Sequence, residues 1–222
     1  MKAGFFHACA ISALMAISSM AYAQVELQAS VQTPPPAFTD PYTVEADLAR
    51  LDASLNATKS FAGRFTQYGP DGSLASGQIY LRRPGRLRIE YDAPSPLLIV
   101  SDGTTLTQLD KALETQDRVP LSSTPLDFFL KNNVNLAQDT EVVGLTKDAH
   151  TLRVTAQDGS GEVEGRVTLV FDTQTLALNE WVITDDFGGQ TRIALSDLQY
   201  NEKLNPRLFI LHNNNRRDRR RR

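Results

Sequence analysis

Side chains capable of acid–base work occur in the sequence mainly as close carboxylate pairs. Glu90 and Asp92 stand two apart, and Asp185 and Asp186 are adjacent. Two carboxylates flanking a cleft are the equipment of glycoside hydrolysis, which needs no other cofactor. The same pairs arise by chance in any strand-rich chain, because one lies on or after a strand and the other sits in a turn. Asp102-Gly103 and Asp158-Gly159 are turn chemistry too, and neither run matches a calcium loop with its closing glutamate. Other chemistries lack their residues. Beyond the N-terminal stretch the histidines are His150 and His212, without metal-ligand spacing, and Cys9 is the single cysteine of the chain. Gly159-Ser160-Gly161 lies between two strand patterns and reads as a hairpin loop rather than a nucleophile elbow. No catalytic residue, metal site or cofactor is therefore expected.

The basic side chains fall in two clusters. Arg82, Arg83, Arg86 and Arg88 surround one turn and read, from the residues alone, as a charged turn on a sheet rim. Six arginines and one aspartate fill 216–222, a local +5 in a chain of net charge −3. The remaining body is thus acidic, which disfavours nucleic acid as a partner. The tail fits either contact with anionic phosphates or a solubilising extension with no dedicated role.

Residues 1–23 read as a signal peptide. Lys2 supplies the positive start, Ala8 to Met20 is mostly apolar, and Ala21-Tyr22-Ala23 is a small-x-small cleavage site ahead of Gln24. A membrane anchor is the competing reading, but the apolar stretch falls short of the roughly 20 residues a span requires. No cysteine follows the small residues to be lipidated, and no later segment is apolar enough to span, so a soluble periplasmic or secreted product is expected. Residues 24–41, with Pro34, Pro35, Pro36 and Pro41, read as a flexible leader, 42–211 as one domain, and 212–222 as a disordered tail.

Within the domain two periodicities alternate. Val44, Leu48, Leu51 and Leu55 recur at three- and four-residue spacing and predict a helix over 42–59, with Thr39 or Asp40 as cap. After Ser60 the period falls to two. Strands are expected at 61–68, 78–82, 87–91, 97–101, 104–110 and 114–119. Five more follow at 140–145, 151–156, 165–172, 177–185 and 189–200, with turns such as Gly69-Pro70-Asp71-Gly72 between. Residues 120–132 break the pattern as a short helix, with Thr124 as cap and Pro125 in its first turn. A closing segment, 201–211, ends on apolar residues that dock. The fold class is mainly β: a large curved antiparallel sheet with two helical pieces, which act either as a lid or simply as core.

Several runs, in order, resemble the periplasmic outer-membrane lipoprotein carrier family, LolA. They are Phe61-Ala62-Gly63-Arg64-Phe65-Thr66-Gln67, then Gly77 through Tyr91 with its Arg82-Arg83-Pro84-Gly85-Arg86 turn, then Leu98-Ile99-Val100-Ser101-Asp102-Gly103, and Leu121-Ser122-Ser123-Thr124-Pro125-Leu126. The resemblance covers about 44–200 and implies an unclosed β-barrel with an apolar cavity under a helical lid. It implies a non-catalytic carrier that takes acylated lipoproteins from an inner-membrane ABC transporter to an outer-membrane receptor or the membrane itself. The family's lid-latching arginine falls on Arg83, beside Pro84. For the acyl cavity the expected lining is Val44, Leu48, Leu51 and Leu55 of the helix, Phe65, Leu87, Ile89, Tyr91, Leu98 and Val100 of the sheet, and Phe128, Phe129 and Trp181. Ile89 stands where many relatives carry a tryptophan. A monomer is expected. Carriage of another amphiphile, or a scaffold with a filled core, are the competing readings.

Overall fold

The computed structural model describes residues 41–211; the stretches expected as signal peptide, leader (up to residue 40, with the Thr39 or Asp40 cap) and tail (from 212) lie outside them. Helix α1 (Pro41–Ala57) opens the described chain. Six strands follow: β1 (Ser60–Tyr68), β2 (Leu74–Arg82), β3 (Arg86–Tyr91), β4 (Leu97–Asp102), β5 (Thr105–Asp110) and β6 (Thr115–Pro120). A helical interlude comes next, made of a 3₁₀ turn (Leu121–Ser123), α2 (Asp127–Leu130) and α3 (Leu136–Asp139). Strands β7 (Glu141–Lys147), β8 (Thr151–Gln157), β9 (Arg166–Asp172), β10 (Leu178–Thr184) and β11 (Gln190–Tyr200) complete the sheet, and a 3₁₀ turn (Pro206–Phe209) closes the chain.

All eleven strands join one antiparallel sheet in the order β6-β5-β4-β3-β2-β1-β11-β10-β9-β8-β7. Each hairpin supplies a neighbour pair; only β1 and β11 are brought together from distant sequence. The barrel stays unclosed, with β6 and β7 as free edges and the helical interlude running from one to the other. Alternation sends Phe61 and Phe65 of β1, Ile79 and Leu81 of β2, and Leu87, Ile89 and Tyr91 of β3 to one buried face. They meet Val167, Leu169 and Phe171 of β9 and Trp181 of β10 in a single core, which α1 covers with Leu48, Leu51 and Leu55. Gly77 permits the close approach this curvature needs. A Cβ there would come within 2.0 Å of the Glu90 carbonyl oxygen and 2.8 Å of the Phe65 ring, which crosses the glycine to pack edge-on against Tyr91 at 5.1 Å.

Three expectations change. β2 starts at Leu74 rather than 78, because pairing from Tyr68↔Leu74 onward leaves only the tight turn outside the ladder. The single short helix at 120–132 divides in two. Thr124 turns its hydroxyl back to the Leu121 carbonyl at 2.7 Å instead of capping α2, whose N-cap is Leu126. α3 was not expected; the Asn135 side chain caps it by accepting from the Gln138 N–H at 3.1 Å.

Candidate functional site

The Arg83 turn meets the covering helices through their C-terminal carbonyls, the groups a helix leaves without partners. Arg83 Nε donates to the carbonyl of Thr58, just past α1, at 3.0 Å, and Nη1 to that of Lys131, just past α2, at 2.6 Å. The Gly85 N–H donates to the Leu130 carbonyl at 2.9 Å. One turn therefore satisfies acceptors on both helical pieces. It is itself fixed from beneath: the fully buried Ser101 hydroxyl donates to the Gly85 carbonyl at 2.6 Å. Gly85 has φ +68°, a left-handed conformation that glycine adopts without strain, and a Cβ there would meet Gly103 backbone at 2.7 Å. Arg83 is 7% exposed, and burial pulls its guanidinium down to about 10, still cationic at neutral pH.

The two helical pieces are tied to each other as well. Asn56 Nδ2 donates to the Val134 carbonyl at 2.9 Å, and its Oδ1 accepts the Val134 N–H at 2.7 Å. The Asp52 carboxylate accepts the Leu136 N–H at 3.0 Å; desolvation raises its pKa, with Asp139 adding to the rise. α1 is anchored to the sheet by Ser54 Oγ on the Leu176 carbonyl at 2.7 Å and by buried Asp47, which takes Lys147 Nζ on both oxygens at 2.9 Å.

Beside Arg83 lies a cavity of about 240 Å³. Leu55 and Phe129, both expected at the site, line it, together with Phe61, Leu81, Phe171 and Leu198, which the sequence reading did not single out. Phe61 and Leu81 could have been found: they share the alternation of Phe65 and Leu87. Phe171 and Leu198 sit far away in sequence, and only the β1–β11 closure brings that half of the sheet over. Leu48, Leu51, Phe65, Leu87, Ile89, Tyr91, Phe128 and Trp181 belong to the continuous core around the cavity, with Val44 partly buried against it.

Leu98 and Val100 are a correction. Ile99 pairs with Ile89, and Leu98 with Glu90, so Leu98 and Val100 point to the opposite face of the sheet. There they are buried beneath the closing turn, where Phe209 is 1% exposed. β4 is apolar on both faces, so its alternation carried no sign.

The carboxylate pairs do not form a reactive site. Glu90, held below the ordinary carboxylate range chiefly by Arg88, and Asp92, likewise held down by Arg64 and Ser76, are occupied in surface pairs. Asp185 accepts from the Phe187 and Gly189 N–H groups of its own turn. Among the described residues no group of three or more His, Cys, Asp or Glu gathers to hold a metal.

Residues 56–212 match the family described as outer membrane lipoprotein carrier protein LolA. An outer-membrane lipoprotein carrier protein from Chromobacterium violaceum is 29% identical over 170 residues, covering 73% of this chain and 81% of the relative. One from Pseudomonas aeruginosa is 27% identical over 179 residues, covering 74% and 82%. Among solved structures, a LolA superfamily protein from Nitrosomonas europaea superposes with a TM-score of 0.45 at 10% identity, over 75% of this chain and 97% of its own. The family match spans the Arg83 turn and every strand described above, and the chain belongs to the LolA family of outer-membrane lipoprotein carriers.

Proposed function

We propose that this chain is a periplasmic, non-catalytic carrier, acting as a monomer, that shelters the acyl chains of lipoproteins. It would receive them from an inner-membrane ABC transporter and deliver them to an outer-membrane receptor or the membrane itself. The observation that carries the reading is the Arg83 guanidinium bridging both helical pieces above an apolar interior.

Exposed acyl chains cost about 0.8 kcal/mol per CH₂ in water, so transit across an aqueous compartment requires an apolar shelter. The shelter must also let go. At about 240 Å³ the cavity is smaller than the roughly 300–1,000 Å³ of typical ligand pockets, which supports reading the described conformation as the unloaded one. Loading displaces α1 and the 121–139 interlude, which breaks the bonds from Arg83 and gives them back on release. This return keeps affinity intermediate, because cargo binding is coupled to the cost of opening. Support for the periplasm comes from the signal-like residues 1–23 and from the family.

The test is transfer of a triacylated lipoprotein. Native mass spectrometry of protein mixed with the lipoprotein in detergent is expected to show a 1:1 complex that survives detergent removal. Its absence would overturn the reading. Arg83→Leu is expected to retain cargo and slow its release to acceptor membranes, since closure no longer repays release; unchanged release would remove Arg83 from the role of latch.

A further inference from the structure

Arg83 is the one buried cation among the described residues, and it is not neutralised. Lys131, Lys147, Arg64, Arg88 and Arg192 each face a carboxylate. Arg83 faces two carbonyls, which are dipoles and leave its charge standing. Its Nη2 makes no hydrogen bond among the described residues. No fully buried side-chain nitrogen or oxygen among the described residues lacks a partner. Arg83 borders the cavity, whose other walls include Phe61, Leu81, Phe171, Leu178 and Leu198.

We infer that this cavity takes a single-chain carboxylate amphiphile, a fatty acid, whose carboxylate accepts a hydrogen bond from Arg83 Nη2 while its chain lies on the apolar walls. The inference rests on reading the interior as an acyl site and adds a ligand class to it. A desolvated guanidinium gains more from an anion than from a neutral acceptor, and charge-assisted bonds are roughly twice as strong. Size points the same way, since about 240 Å³ suits one short chain, not several long ones. The ligand leaves the Nε and Nη1 bonds in place. It therefore holds the lid closed and competes with lipoprotein loading.

Trp181, the single tryptophan, packs on Phe129 at 5.7 Å, and Phe129 lines the cavity, so intrinsic fluorescence reports occupancy. Titration with decanoate and with decanol at pH 8 is expected to show decanoate binding at least about tenfold tighter, and slowing lipoprotein uptake. In Arg83→Gln that ratio falls to about one while decanol binding persists. Equal affinities in the unmodified protein overturn the inference without any variant, which covers the case that Arg83→Gln does not fold. Leu198→Phe, which narrows the cavity from the sheet side and adds no second tryptophan, should weaken decanoate binding; unchanged binding places the ligand elsewhere and overturns it too. Lipoprotein capture with no decanoate binding would overturn the fatty-acid site and leave the carrier reading intact. Decanoate binding with no lipoprotein capture would do the reverse.

Discussion

The sheet is covered twice, and by different means. On its inner face α1 and the interlude lie over the core, and polar side chains of α1 and of the β2–β3 turn reach backbone groups across the contact: Arg83 to Thr58 and Lys131, Asn56 to Val134, Asp52 to Leu136, Ser54 to Leu176. On the outer face the closing segment is tied at its start by Ser60 Oγ, which donates to the Glu202 carbonyl at 2.7 Å, and by Asn201 Oδ1, which accepts the Lys59 N–H at 2.8 Å. Over β3 and β4 Phe209 is its buried anchor beside Leu98 and Val100, and Arg88 donates to the Leu208 carbonyl at 3.2 Å. The inner cover is aligned by directional bonds, which re-form in one register after opening. Over β3 and β4 the outer cover relies mainly on an aromatic plug, which packs but does not encode a hinge. Only the first arrangement suits the opening and reclosing proposed above.

Removing an aromatic from each cover separates the two most sharply. Phe129→Ala is expected to cost about 3–5 kcal/mol in urea unfolding, because a fully buried ring that touches Trp181 leaves a void joined to the existing cavity. It should also raise binding of an apolar dye to the folded protein. Phe209→Ala should cost about 3 kcal/mol, at the low end of the same range, since a terminal segment relaxes around the loss. Its dye binding should stay at the level of the unmodified protein. Raised dye binding in Phe209→Ala would erase the distinction between the covers.

How far these covers can be read from sequence depends on whether each residue has one neighbour of interest or two. Leu48, Leu51, Phe65 and Leu87 are legible, because a stripe or an alternation with polar partners assigns each a single side. The Arg83 turn was legible through its resemblance to the family, though not the carbonyls it reaches, which lie 25 and 48 residues away. Leu98 and Val100 were not, since Leu97, Leu98, Ile99 and Val100 form one apolar run and only the register with β3 tells which are inner. Asn56 was invisible: an asparagine near a helix end reads as surface, and its partner is 78 residues off. α3 was missed for a similar reason, as four residues with one buried leucine carry no period.

Asn56 gives the next, smaller break. Asn56→Ala strands both the N–H and the carbonyl of Val134 in a half-buried site, an expected loss of about 1–3 kcal/mol. If the two helical pieces move as one body, hydrogen exchange in Asn56→Ala should quicken across 131–139 while exchange in β3 and β4 is unchanged. Uniform quickening would mean that Asn56 supports the whole domain rather than the joint between α1 and the interlude.

The smallest effect tests whether the inner cover tolerates charge. Burial raises the folded-state pKa of Asp52 above 3.8, the nearby Asp139 adds to the rise, and the Leu136 N–H offsets part of it. The folded protein therefore binds the Asp52 proton more readily than the unfolded chain does. The stability this contributes is present below 3.8 and is lost as pH rises through the folded value, so at neutral pH the ionised carboxylate is a slight burden. Asp52→Asn keeps an oxygen to accept from Leu136 and removes the charge. Its thermal midpoint should match the unmodified protein near pH 3 and exceed it slightly at pH 7, with the difference developing just above the ordinary carboxylate range. Comparing the two proteins at each pH cancels the turn-capping aspartates, such as Asp102 and Asp172, whose pKa values are lowered by their own backbone N–H donors and whose stabilisation is lost as pH falls through those lowered values. A lower midpoint for Asp52→Asn at pH 7 would show that the charge strengthens the Leu136 bond by more than desolvation takes away. The inner cover would then be held by an ionic contact as well as by neutral hydrogen bonds, and its opening would depend on salt.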